Sequence, residues 1–445
     1  MGSMILRAPS GILPVRNRIA RPGRPRIEFA PPRPIWRGQM PGQLGSLKVN
    51  FETAIADRHG RVEKILQRGS NTITNWGMDQ LASASVATLV NYLVLSSTQD
   101  ARKRVMSGPT LTVTYTSPTN IAVASDVSFF VSTDAGRTLK LPNVPELKIV
   151  TYTNTQNVVC RTPSGDWLPG FAVPGAPTNY SAATIYFTDL STLATYFTQF
   201  NSYDVGGNTQ TTDNANSQFI HERIFLGPTV TGADWTVNQL GWSDGNASHN
   251  CLGLANLGSP DSIPIGKKYR VKLDVYSVYT PINLVGVAVN WGATIGNYTM
   301  DIRQEYIGQD GGGVQGNILA PLTIGAGTPY ASWWDAAHNF VAPYWEGQSG
   351  GTLPPTAGLH TNMGSGASGL VQGTYTNGQF KRTKNIKWPD TAAITNATAL
   401  GMIYSAAPGS YSNFTLKPQS GTVNKPGGYW CDWTFSVYWT RDLPT

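Results

Sequence analysis

Tyr429-Trp430-Cys431-Asp432-Trp433-Thr434-Phe435-Ser436-Val437-Tyr438-Trp439 holds the clearest period-two pattern in the chain: Trp433, Phe435, Val437 and Trp439 alternate with smaller or polar neighbours. Successive side chains of a strand point to opposite faces, so this segment reads as a strand with one apolar face. It follows a long stretch with few periodic runs, and is expected to rejoin sheets begun much earlier. Working outward, Leu47 to Ala56 shows the same alternation through Leu47, Val49 and Phe51. A turn at Arg58-His59-Gly60 and a returning run, Val62 to Gln67, complete a hairpin. Further strand candidates are Tyr92 to Leu95, Thr110 to Tyr115, Val127 to Val131, Lys148 to Thr153, Thr184 to Thr188, Phe219 to Leu226, Thr236 to Trp242, Lys268 to Tyr279 and Leu284 to Val289. Gly, Pro and Asn separate them, and β-branched and aromatic residues fill them.

So many short strands bury their apolar faces most simply by sheet-on-sheet packing. The expected fold class is therefore all-β, a β-sandwich of jelly-roll type. One helical segment interrupts it near residues 71–90, where Ser70-Asn71 offer caps and Ile73, Trp76, Gly77, Leu81, Ala84 and Leu89 recur at helical spacing. Leu190 to Phe200 reads as a second short helix. The division expected is an extended arm over 1–46, a body over 47–289, a loop-rich elaboration over 290–428 and a closing strand over 429–445.

The first forty residues carry the whole net charge. Arg7, Arg16, Arg18, Arg21, Arg24, Arg26, Arg33 and Arg37 against Glu28 give +7, which equals the total. Seven prolines in the same stretch (Pro9, Pro14, Pro22, Pro25, Pro31, Pro32, Pro34) deny it a helix or a closed ladder, so it reads as an extended arm lying on a partner subunit. Two roles compete. Arginines can neutralise nucleic-acid phosphates, or they can pin an extended strap to carboxylates of neighbouring subunits while prolines lower the cost of ordering. Arginines spaced by Pro, Ile27, Phe29 and Trp36, with no lysine among them, favour the strap. The anchoring set is Arg16, Arg18, Arg21, Arg24, Arg26, Arg33, Trp36 and Arg37.

Other constellations carry less. Gly311-Gly312-Gly313-Val314-Gln315-Gly316 fits a dinucleotide-loop pattern but has Pro321 where the required helix would run. Gly347-Gln348-Ser349-Gly350-Gly351, with Asp335 and His338 upstream, fits a serine-hydrolase pattern without its strand-turn-helix elbow. The histidines His59, His221, His249, His338 and His360 are scattered, and Asp301, Glu305 and Asp310 lack the spacing of a calcium loop. No metal, no cofactor and no catalytic residue is expected. Cys160, Cys251 and Cys431 are odd in number and far apart, which suggests reduced, partly buried thiols and leaves a single bridge open. Trp333, Trp334, Tyr344 and Trp345 form an aromatic-rich stretch that suits a subunit contact or a receptor-glycan platform. No run of about 18 apolar residues exists, so no membrane span is expected.

Several blocks, in order, resemble tailed-bacteriophage virion proteins of the tail-fibre and tail-appendage type. They are Asn71-Thr72-Ile73-Thr74-Asn75-Trp76-Gly77-Met78-Asp79-Gln80-Leu81-Ala82 with Asn91-Tyr92-Leu93-Val94-Leu95, and Phe129-Phe130 followed by Asp134-Ala135-Gly136-Arg137. Ala183-Thr184-Ile185-Tyr186-Phe187 with Leu193-Ala194-Thr195 comes next, then Leu240-Gly241-Trp242-Ser243 running to Ile265-Gly266-Lys267-Lys268-Tyr269-Arg270-Val271. The likeness covers roughly residues 60–280 and the closing strand. The arm and residues 290–428 depart from it. It implies a non-enzymatic virion component, assembled in a bacterial cytoplasm as a trimer or a ring. Its partners would be tail, adaptor or portal-proximal proteins, with a host surface receptor as a further candidate and no nucleic acid. The alternatives are a capsid shell or decoration protein with a basic arm and, from another class, a secreted carbohydrate-binding or hydrolytic protein.

Overall fold

The computed structural model describes residues 35–39, 43–81, 89–168, 171–193, 195–201, 203–213, 218–280, 282–290, 297–304, 341–347, 361–362, 371–372, 375–388, 394–404, 411–425 and 430–443. Over these the protein is nearly all β, and its strands are numbered in chain order.

The largest sheet has nine strands and is centred on β2 (Gln43–Ala56). Along one edge β2 pairs antiparallel with β17 (Lys268–Thr280), from Leu44 opposite Thr280 to Ala56 opposite Lys268. Its other edge is shared. Gln43–Leu47 run parallel to Val437–Arg441 of β27 (Trp430–Arg441), and Asn50–Ala56 pair antiparallel with β3 (Val62–Ser70). β1 (Ile35–Gln39) continues along the same side of β27, also parallel, from Ile35 opposite Trp430 to Gln39 opposite Thr434. The two segments are offset by one residue against β27, and Pro41, which has no N–H to give a ladder, falls in the interval. The far edge of β27 takes β23 (Lys381–Trp388) and then β22 (Val371–Gln372). Beyond β17 lie β14 (Gln218–Thr229) and β13 (Tyr203–Asp213).

The alternation in β2 does what it implies: Leu47, Val49 and Phe51 are buried, as are Val271, Leu273 and Val275 of β17. Opposite them stands a five-stranded sheet ordered β12 (Tyr196–Phe200), β5 (Tyr92–Ser96), β15 (Trp235–Ser243), β16 (Cys251–Ile263) and β4 (Thr72–Ile73). The Phe51 ring centre lies 6.1 Å from that of Trp242, which is fully buried.

Between β5 and β12 the chain builds a closed six-stranded barrel from β6 (Lys103–Ser117), β7 (Asn120–Ser125), β8 (Thr138–Lys140), β9 (Leu147–Asn154), β10 (Asn157–Arg161) and β11 (Thr178–Tyr186). Leu111, Val113, Ile121, Ile149, Val158 and Ile185 fill it. Closure was not part of the sequence expectation; it relies on bends that alternation does not report, such as the register shifts between β9 and β10 and between β6 and β11.

A seven-stranded sheet follows, ordered β18 (Ile282–Asn290), β19 (Asn297–Gln304), β25 (Tyr411–Pro418), β24 (Ile394–Tyr404), β20 (Val341–Gly347) and β21 (Thr361–Asn362), with β26 (Val423–Lys425) beside β24. The stretch expected to be loop-rich thus holds paired strands, among them β19, where Tyr298, Met300 and Ile302 alternate with polar residues. Leu190 to Phe200 is not a helix: Tyr196–Phe200 is β12, while the Leu190 and Thr192 carbonyls are held by the buried Arg102 guanidinium at 3.1 and 2.9 Å. Nor is Val127 to Val131 a strand. The Phe129 and Phe130 amides both donate to Thr155 O. The helix near 71–90 is α1 (Asn75–Gln80), capped by Thr74 in place of Ser70-Asn71, and residues 82–88 lie outside the described residues. No helix among the described residues is long and apolar enough to cross a membrane.

Candidate functional site

Residues 35–46 of the expected arm pair along β27 as β1 and the start of β2, and this junction is the candidate site. Trp36 and Arg37 sit in β1, opposite Cys431 and Asp432. Arg16, Arg18, Arg21, Arg24, Arg26 and Arg33 lie outside the described residues.

The C-terminal half of β27 is buried on both faces, with Ser436 and Tyr438 on one and Trp439 and Arg441 on the other. Tyr438, Trp439 and Arg441 tie the strand to other parts of the fold. Arg441 Nε donates to Glu146 Oε2 at 2.6 Å across the barrel rim, Nη1 to Ile73 O at 2.6 Å and Nη2 to Asn75 Oδ1 at 2.8 Å. Both side chains of this ion pair are 1% exposed. Its guanidinium also lies 5.2 Å from the Phe380 ring centre. Trp439 Nε1 donates to Met78 O at 2.9 Å, and its ring stacks on Tyr375. Tyr375 OH and Gly378 N both donate to Asp79 Oδ1. Tyr438 OH and Lys381 Nζ donate to Asp166 Oδ2 at 3.0 and 2.6 Å. Two backbone-directed bonds, Asp442 N to Leu47 O at 2.8 Å and Thr440 Oγ1 to Gly45 O at 3.4 Å, tie the strand back to β2.

Electrostatics follow burial. The Tyr438 phenol is pushed up by burial and then by the Asp166 carboxylate. Burial pulls the ammonium groups of Lys140 and Lys148 down, with Glu146 acting against it in both. Glu146 Oε1 is buried with no hydrogen-bond partner among the described residues. A buried pair such as Arg441–Glu146 adds little net stability over an apolar filling, but it admits a single geometry and is costly to break from one side. The chemistry this cluster supports is fixation: barrel, helix and central sheet are locked to one strand.

Sequence reading did not pick out these residues, because the partners are remote; Arg441 and Glu146 are 295 positions apart. One signal was present. Continuing the parity of Trp433, Phe435, Val437 and Trp439 puts Arg441 on the apolar face, where a lone arginine demands an acid.

Two of the blocks quoted for the phage resemblance, at Asn75 and at Gly136, meet beside this cluster. Asn75 N donates to Thr188 O at 2.7 Å and Asn75 Nδ2 to Gly136 O at 3.2 Å. Asp134 is fully buried and accepts from Arg104, Arg137 and the Val131 amide, while Arg137 sits 3.8 Å over the Phe187 ring. Gly77 packs on the Leu252 backbone so closely that a Cβ there would lie 2.6 Å from Leu252 Cα.

The remaining candidates are placed as follows. Tyr344 and Trp345 are in β20, paired with Gly401 and Leu400 of β24, and Trp333 and Trp334 lie outside the described residues. Asp301 Oδ1 accepts from Gly286 N and Gln419 Nε2, and Glu305 and Asp310 lie outside, as do Gly311–Gly316, Asp335, His338, Ser349 and His360. His59 accepts from Arg58, His221 from Arg223, and His249 stacks on Tyr196. No group of three or more metal-ligating side chains occurs among the described residues. Cys160 and Cys251 are free buried thiols; burial pushes Cys251 up to about 12.

No protein-family model matches this chain, and no curated protein matches its sequence.

Proposed function

We propose that this protein is a non-enzymatic structural component of a tailed-phage virion, a fibre or appendage of the tail or head-tail junction. Its arginine- and proline-rich N-terminal arm anchors it to neighbouring virion proteins, and the body assembles as a trimer or a ring. In this reading the nine- and five-stranded sheets form a jelly-roll-like sandwich around the Phe51–Trp242 contact, with the barrel as an outgrowth. The observation that carries it is the junction itself: the arm enters as strands of the central sheet, β1 and β2, and that sheet is locked by the Arg441 cluster. A segment meant to hold a body to something else needs such a rooted base. The ordered likeness of the residue blocks to phage tail proteins supplies the class of assembly.

The test is deletion of residues 1–34, cutting before β1 so that the body stays intact. The body keeps its circular dichroism and unfolding midpoint while incorporation into particles is lost. Unchanged incorporation overturns the reading, and nucleic-acid retention lost without loss of incorporation points to a capsid role.

A further inference from the structure

We infer that the paired terminal strands form a shear joint, through which tension arriving from the residues before Ile35 passes into the body. The inference rests on the reading of those residues as an anchor and assigns them a mechanical task.

The geometry is that of parallel pairing. Ile35 and Trp430 lie at one end of the ladder, Leu47 and Arg441 at the other. A pull on Ile35 away from the body and a pull on the C-terminal end of β27 act in opposite senses along one axis. The five residue pairs of β1 and the five of β2 with β27 are then loaded together and not in turn. The loaded end cannot slip easily, because Arg441 is held by Glu146, Ile73 O and Asn75, and Trp439 by Met78 O. Resistance to force is set by the unfolding barrier, and a ladder that must break all at once raises it.

The same fold contains a weak direction. β17 runs antiparallel to β2 with Thr280 opposite Leu44, so the chain beyond Thr280 leaves at the end where the arm enters. Tension between the arm and β18 therefore peels β2 from β17, one pair after another.

Single-molecule pulling on the full chain tests this, with one handle at the N-terminus and the other at the C-terminus or at Val285→Cys, a position 68% exposed. The rupture force between the termini is expected to be at least about twofold that of the Val285 geometry. Deleting residues 1–42 and pulling from Gln43 lowers the force between the termini and leaves the Val285 geometry unchanged. Equal forces in the two directions, or a truncation without effect, overturn the joint. If the joint fails while deletion of 1–34 still abolishes incorporation, the anchor reading stands without it; if incorporation ignores the arm while the force contrast holds, the anchor reading falls alone.

Discussion

Arg441 is the residue on which the junction turns, since its three donors reach the barrel, the strand before α1 and the helix itself. Removing one member of a buried ion pair strands the other, at about 3–5 kcal/mol. Denaturant unfolding of Arg441→Met or Glu146→Gln is expected to show a loss of that order, and the double variant Arg441→Met with Glu146→Leu to recover most of it. His221 makes a second prediction. It is fully buried on β14, accepts from Arg223 Nε at 2.8 Å, and burial, then the Arg223 charge, lower its pKa to about 3. The unfolded imidazole takes its proton near the ordinary 6.5, so between 6.5 and about 3 the unfolded chain binds more protons than the folded one. Stability contributed by neutral His221 is therefore present above 6.5 and falls as pH drops through that window. His221→Gln flattens this limb of a midpoint-against-pH profile; an unaltered slope contradicts the assignment.

At the scale of elements, α1 is only six residues long and owes its place to contact. Gly77→Ala forces its Cβ against the Leu252 backbone of β16 at 2.6 Å, and calorimetry should record a loss of about 1–3 kcal/mol or more. This helix also shows what sequence can and cannot convey. Strands with one covered face, β2, β14 and β17, were legible because their alternation survives into the fold. β16 was not: Cys251-Leu252-Gly253-Leu254-Ala255-Asn256 is buried on both faces for five residues, so its pattern is a run, broken by one glycine against which the Asn71 side chain packs. β12 lies in the stretch read as a short helix, Leu190 to Phe200, where Leu193, Tyr196 and Phe200 stand three and four residues apart. The Arg102 grip on the preceding carbonyls, which decides the outcome, comes from a distant part of the chain. The arm's composition was legible, but its root was not, since pairing partners some 395 positions apart leave no local trace.

For the molecule as a whole, β1 is paired within the central sheet, and stability measurements should find it part of the cooperative unit. Cutting after residue 34 leaves the unfolding midpoint unchanged, whereas cutting after residue 42 removes β1, bares an edge of β27 and lowers the midpoint by several degrees. Equal midpoints for the two truncations would place β1 outside the cooperative unit. The central position of β27 also bears on how the protein is made. β2 leaves the ribosome early, yet the neighbour for its first residues is almost 400 codons away, roughly 20–80 s later at about 5–20 residues per second. Throughout that interval the nascent molecule presents an unsatisfied strand edge to its surroundings. Chaperone occupancy mapped along the message should persist until the codons for Trp430–Arg441 have been read, and fragments ending short of them should be captured or degraded.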